Sequence, residues 1–202
     1  MAAEGARPTR RRLLEAGQQE VYLHGFQGTS LGTILRRAGA TKGAFFHYFA
    51  TKKAFGYAIV DEVLAQMITA QWVTPLHGSR DPLETISAEF ERGIEVLKAQ
   101  RPILGCPLNN LAQEMNPLDA GFRSRTTRVF QAWQETYCSA LTRAQQRGII
   151  RAAIDPADAA CMLVAQIEGT LSLARNTQDP DTLTAGARAL RSYLAAIRAT
   201  GH

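Results

Sequence analysis

Apolar side chains in this chain recur three and four residues apart and almost never two apart. Leu13, Ala16 and Val21, then Ile59, Val63, Leu64 and Met67, then Ile86, Phe90, Ile94 and Leu97 each line one face of a helix. A strand needs apolar and polar residues to alternate beside turn signals, and no long stretch does so. The expected fold class is all-α. Breaks near Gly25 to Gly28, Ala38 to Ala40, Ala50 and Thr51, Thr74 to Asp81, Gln100 to Gly105, Asn116 to Leu118, Gly148 to Asp155 and Gln178 to Asp181 divide the chain into about nine helices, most breaks being marked by Gly or Pro.

At 202 residues and 46% hydrophobic content the chain can bury a real core. It is expected to be one domain, or a small module joined to a larger one. The segment VTPLHGSRDP, Val73 to Pro82, suggests the boundary. A head over 1–53, a linking helix over 52–73 and a body over 74–202 follow. The N-terminal stretch MAAEGARPTRRRLLEAG has no apolar run of signal-peptide length. Nowhere do about 18 consecutive residues lack charge, so no membrane span is expected and the reading is cytoplasmic. Cys106, Cys138 and Cys161 are odd in number and lack C-x-x-C spacing, which argues against a disulfide framework and a zinc site. His24, His47, His77 and His202 form no metal-binding pair, and neither a G-x-S-x-G elbow nor a phosphate-binding glycine loop occurs. No catalytic residue, metal or cofactor is expected, and an enzyme is disfavoured.

Charge is more informative by position than in total. Residues 1–53 hold nine Lys/Arg against Glu4, Glu15 and Glu20, whereas the whole chain nets only +5. A basic head on a nearly neutral body suits a polyanion partner, because affinity for nucleic acid comes largely from neutralising phosphates and releasing counterions. A solvated basic surface would give the same count.

Within the head the helical segments are short. Thr29 is expected to cap a helix from Ser30 to about Ala38, Gly39 to end it in the left-handed conformation, and Thr41 to cap the next helix through Phe49. Two such helices around a Gly-bearing turn make a helix-turn-helix. Leu31, Ile34, Leu35, Ala38, Phe45 and Phe49 can share a core with Leu14, Val21 and Phe26. Thr41, Lys42, Gly43, Ala44 and His47 would then project from the other side, near the start of the second helix. They suit a major groove about 12 Å wide, where small residues permit close approach to base edges.

The run TSLGTILRRAGATKGAFFHYFATKKAFGYAIVDE, Thr29 to Glu62, resembles the DNA-binding segment of the TetR/AcrR family of dimeric, ligand-responsive transcriptional repressors. The resemblance implies phosphate contacts by Thr29 and Ser30, base-edge contacts by Thr41, Lys42, Gly43 and Ala44, mixed contacts by His47, and a phosphate contact by Lys52, where a helix start and a lysine also make an anion site. Arg36, Phe46 and Tyr48 complete the expected DNA-facing set. Three departures stand out. Phe46 occupies a position where the family usually has a tyrosine whose hydroxyl holds a phosphate, so that contact is absent or comes from Tyr48. Gly32 replaces a larger residue, and a helix-interior glycine costs about 1 kcal/mol against alanine. Leu35 replaces the usual alanine, implying a slightly wider separation of the head helices.

For the body, the resemblance implies an effector enclosed by the middle helices and a dimer built from the last two. Phe90, Ile94, Leu97, Cys106, Asn109, Asn110, Trp133, Tyr137 and Ile167 form the candidate pocket for a small, mostly apolar effector, although most would line a core anyway. Val164, Glu168, Leu171, Leu190, Leu194 and Ile197 form the candidate dimer face, or an internal stripe. Asp155-Pro156 and Asp179-Pro180 look like capped helix starts. Cys106, in ILGCPLNN, is either a packed thiol or a sensor activated at a helix N-terminus, because related repressors with Gly-Cys at this place include electrophile sensors. The expected function is a homodimeric repressor on a near-palindromic double-stranded operator, released by the effector. A transcriptional activator on the same fold and a non-DNA helical adaptor remain open at this point.

Overall fold

The computed structural model describes residues 3–199, with side chains from residue 9 onward. His202 and the first residues of the segment weighed above for export lie outside that range. The described residues form nine helices and no strand. They are α1 (Ala3–His24), α2 (Leu31–Ala38), α3 (Lys42–Tyr48), α4, α5 (Pro82–Lys98), α6 (Pro107–Met115), α7 (Ala120–Gln146), α8 (Pro156–Thr177) and α9 (Pro180–Ile197). Helix α4 begins as Lys52–Ala58 and runs on through Ile59–Leu64, Ala65–Ile68 and Thr69–Val73 to a final tight turn, Thr74–Leu76.

The side chains of α4 explain its irregularity. Val60, Leu64, Ile68, Trp72 and Leu76 are all buried. A stripe with a four-residue period drifts off the face of an ordinary helix, which turns every 3.6 residues. Ile59–Leu64 and Thr69–Val73 adopt the wider π-helical turn, whose i→i+5 bonds slow that drift and keep the stripe inward. The stripe read from the sequence as Ile59, Val63, Leu64 and Met67 is corrected accordingly. Val63 is half-buried, and Met67 is turned to solvent at 43% exposure.

Packing divides the chain into two compact units, one of residues up to Met67 with Pro107–Arg128, the other of Ile68–Cys106 with Val129 onward. These do not coincide with the 1–53 and 74–202 segments, because α6 and the start of α7 pack with the N-terminal helices. Phe45, Phe49 and Phe55 form the aromatic centre of the first unit, with ring centroids 4.9 to 5.4 Å apart. Leu13, Leu14, Val21 and Ile34 are buried in the same unit.

Asp119, just before α7, holds α4 in place. Its carboxylate accepts from the Tyr57 hydroxyl at 2.6 Å, from Lys53 at 3.0 Å, and from the Gly121 and Phe122 N–H groups at 2.8 and 3.0 Å. The Tyr57 and Lys53 donors keep its pKa well below the usual carboxylate range. A depressed folded value contributes stability that is complete above the unfolded pKa of about 4 and is lost as pH falls through the folded value. The melting-temperature deficit of Asp119→Asn relative to the parent should therefore be largest near neutrality and shrink steadily below about pH 4. A deficit independent of pH would show that ionisation of Asp119 contributes nothing.

In the second unit the expected Asp-Pro starts are present. Asp155 accepts from the Ala157 and Asp158 N–H groups, and Asp179 from that of Asp181, with Pro156 and Pro180 opening α8 and α9. Asp81 caps α5 in the same way and also pairs with Arg198 at 2.7 Å. An isolated β-bridge joins Ile150 to Arg198 beyond the end of α9. Gly186 lets α9 lie close against Thr170 of α8, because a Cβ there would overlap the threonine side chain.

Candidate DNA-binding interface

Helix α2 starts one residue later than the sequence suggests. Ser30, not Thr29, is its cap, and the Ser30 oxygen accepts from the Thr33 N–H at 3.1 Å. Thr29 is buried, and its hydroxyl donates to the Gly25 carbonyl at 2.7 Å. A single serine oxygen beyond the tight Gly25 to Gly28 turn caps the helix, while the preceding threonine closes the turn. The hydroxyl proton of Thr29 is thus already committed, and Ser30 is the exposed member of the pair.

Gly39 ends α2 in the left-handed region at φ 57°, and its N–H and that of Ala40 return to the Arg36 and Leu35 carbonyls. Thr41 then caps α3, accepting from the Ala44 N–H at 3.1 Å. Phe45 and Phe49 point inward and are fully or nearly fully buried. Thr41, Lys42, Gly43, Phe46 and His47 are exposed, and Ala44 and Tyr48 are half-exposed. A Cβ added at Gly43 would meet nothing closer than 3.9 Å, so the surface of α3 is open there. The His47 and Tyr48 rings stand edge to face 4.9 Å apart.

The basic residues of the head divide into two kinds. Arg10 pairs with Glu62 through both terminal guanidinium nitrogens, Arg37 with buried Glu20 at 2.7 Å, and Lys53 with Asp119. These pairs tie helices together. Arg36 and Lys42 stay on the surface, Arg36 donating to the Thr33 hydroxyl at 3.2 Å and Lys42 standing 6.0 Å above the Phe46 ring.

Lys52 is intermediate between the two. Its ammonium donates to the Phe26 carbonyl at 2.6 Å and lies 4.8 Å over the Phe26 ring. Burial lowers its pKa, opposed by the charge of Glu114. The Glu114 carboxylate accepts from the Phe26 and Gln27 N–H groups, both at 2.8 Å, so α6 clasps the turn between α1 and α2. Sequence reasoning missed this clasp. Glu114 is 88 residues from Phe26 in sequence and only the fold brings them together. An ammonium has three donors, and Lys52 uses one of them on Phe26.

Ion pairing does not remove the charge asymmetry. The N-terminal unit contains twelve Lys/Arg and seven Asp/Glu, and the other unit eleven of each. The net +5 of the chain therefore lies entirely in the unit that carries α2 and α3.

Residues 13–56 match the family model described as bacterial regulatory proteins, tetR family. Residues 82–190 match that described as tetracyclin repressor-like, C-terminal domain. The chain belongs to the TetR family. It is 31% identical over 194 residues to an uncharacterised HTH-type transcriptional regulator in the lacX 3′ region of Lactococcus lactis, covering 91% of each chain. It is 28% identical over 164 residues to the HTH-type transcriptional repressor DhaR of Mycobacterium sp. strain GP1, covering 81% of each. Among solved structures, the regulatory protein TetR from Rhodobacter sphaeroides is similar at 28% identity and a TM-score of 0.81, with 91% of this chain and 97% of that chain covered. The chain is thus a DNA-binding transcriptional regulator of the TetR family and not an enzyme.

The effector candidates divide between the units. Phe90, Ile94, Trp133, Tyr137 and Ile167 are buried in the C-terminal unit, with Leu97 half-exposed. Trp72, which the sequence reading did not include, stacks on Trp133 at 5.1 Å and 14° and lies 6.3 Å from Phe90. The Trp133 Nε1 is buried without a well-formed hydrogen bond and interacts with Tyr137, whose ring meets that of Trp133 edge to face at 5.9 Å. Burial raises the Tyr137 pKa above its ordinary value. Asn109 and Asn110 are half-buried on α6, in the N-terminal unit. Cys106 is buried just before Pro107 opens α6, Cys138 is half-exposed and Cys161 is exposed.

The residues expected at the dimer face, Val164, Glu168, Leu171, Leu190, Leu194 and Ile197, are all buried within the protomer. They form the internal stripe of α8 and α9. On the opposite faces Cys161, Ala165, Gly169 and Leu173 of α8, and Ala185, Ala189, Ser192 and Ala196 of α9, are exposed. No helix of the described residues is long and apolar enough to cross a membrane.

Proposed function

We propose that this TetR-family regulator is a homodimeric repressor. It would bind a near-palindromic operator through α2 and α3 of each protomer and be released by a small, mostly apolar effector, in the cytoplasm where the DNA lies. One observation carries the reading. The capped α2–turn–α3 unit buries Phe45 and Phe49 and presents Thr41, Lys42, Gly43, Ala44, Phe46 and His47 on the side away from that core, in the unit that holds all of the net positive charge.

In this reading Ser30, Arg36 and Lys52 hold phosphates and α3 meets base edges, Thr29 contributing through its backbone and Tyr48 at the rim. The dimer forms on the exposed small-residue faces of α8 and α9, whose alanines and Gly169 allow close helix approach. The effector displaces or joins the packing of Phe90, Ile94, Trp133, Tyr137 and Ile167, and the Trp133 N–H, which lacks a well-formed hydrogen bond, favours one with a hydrogen-bond acceptor. A change in the course of α4 would alter the spacing of the two reading heads. A coupling of about 1 to 3 kcal/mol would suffice for release.

The test is selection of binding sites from a random duplex library by the purified protein, followed by anisotropy over a salt series and sedimentation of the free protein. The expected result is enrichment of an inverted repeat whose half-site centres lie about one helical turn apart or slightly more. Affinity should fall steeply with salt, and the free protein should sediment as a dimer. Failure to enrich any sequence, or binding indifferent to salt, would overturn the proposal.

A further inference from the structure

Phe46 is the exposed large apolar side chain of α3, with 46% of its surface accessible. Behind it lies the fully buried Phe45, whose ring meets it edge-on at 5.3 Å and 86°. Lys42, one turn earlier on the same face, places its ammonium 6.0 Å above the ring. The result is an exposed apolar surface beside a positive charge, among Thr41, Gly43 and His47, which are exposed as well.

A phenyl ring has no donor or acceptor for a phosphate or a base edge. The apolar group that the major groove offers is the thymine 5-methyl. We propose that Phe46 is a specificity-determining residue that reads a thymine methyl in each half-site, while Lys42 contacts an adjacent base or phosphate. This rests on the DNA-binding reading above and deepens it. Four residues of helix rise about 6 Å, so the thymine lies within about two base steps of the base pair that Lys42 meets.

The test uses the inverted repeat enriched by selection, with each thymine replaced in turn by deoxyuridine, which removes only the methyl group. For the full-length parent, one thymine per half-site is expected to lose about fourfold in affinity on replacement, the size expected for burying one methyl group. Phe46→Ala should bind the thymine and deoxyuridine duplexes equally, and Phe46→Tyr, which keeps the ring, should preserve the difference. A melting temperature unchanged in Phe46→Ala separates loss of reading from loss of folding. An enriched site with no methyl-sensitive thymine, or a methyl effect that persists in Phe46→Ala, overturns the inference and leaves DNA recognition standing. If no sequence is enriched, both readings fall together.

Discussion

Replacing Gly56 with alanine should destabilise the protein by about 2 kcal/mol, whereas the same change at Gly32 should stabilise it by about 1 kcal/mol. Gly56 lies within α4 and Gly32 at the second position of α2, so both substitutions reduce the freedom of the unfolded chain, by up to about 1 kcal/mol in favour of alanine. Their surroundings decide the sign. A Cβ at Gly56 would stand 2.5 Å from Phe26 Cε2 and 2.6 Å from Phe122 Cζ. Both rings are buried, and the pair is itself locked edge to face at 4.9 Å. Overpacking of this kind costs about 1 to 3 kcal/mol, or more where the neighbours cannot yield, and outweighs the helix gain. At Gly32 the nearest atoms are the ends of Arg36 and Ser30, at 3.7 and 3.8 Å, and a methyl group fits. Urea midpoints of the two variants and the parent measure both effects. A Gly56→Ala protein as stable as the parent would show that the Phe26–Phe122 contact gives way easily. Because Phe26 also accepts from Lys52 and donates to Glu114, weakened DNA binding is expected to accompany the loss of stability, although Gly56 itself is buried.

Local signals made most of the fold legible. The Asp-Pro starts of α8 and α9, the left-handed Gly39 and the Thr41 cap each depend on neighbours within four residues, and all appear as read. The errors share a different origin. Thr29 and Ser30 both carry hydroxyls able to cap a helix, and the choice between them depended on the Gly25 carbonyl, which claims the Thr29 hydroxyl. Met67 fell out of its stripe because π-helical turns change the period on which the reading relied. Val164, Leu171, Leu190 and Leu194 were apolar enough for either an interface or a core, and only the packing of α8 against α9 identifies them as core. The tie from Lys52 to Phe26 and the clasp of Glu114 on the same turn were invisible because nothing local announces contacts across 26 and 88 residues.

Lys42→Ala and Lys52→Ala should impair DNA binding in different ways. Lys42 projects from α3 with its ammonium held only over the Phe46 ring. Its loss should mainly relax preference at one base pair per half-site, where discrimination of about 1 to 3 kcal/mol corresponds to roughly 5- to 150-fold. Lys52 anchors the α1–α2 turn through the Phe26 carbonyl and retains two N–H donors for a phosphate. Its removal should weaken all duplexes about equally and reduce the magnitude of the salt slope by about 0.9 per lost contact, hence nearly two for a symmetric pair of heads. It should also lower the melting temperature, an effect not expected of the surface residue Lys42. Anisotropy over a salt series, on the selected duplex and its single mismatches, separates the two behaviours. If Lys52→Ala lowers the melting temperature but leaves the salt slope at the parent value, Lys52 is purely a structural tie and Ser30 and Arg36 carry the phosphate contacts. If Lys42→Ala discriminates among mismatches as well as the parent does, base reading by Lys42 is excluded, and the other exposed residues of α3 must carry the specificity.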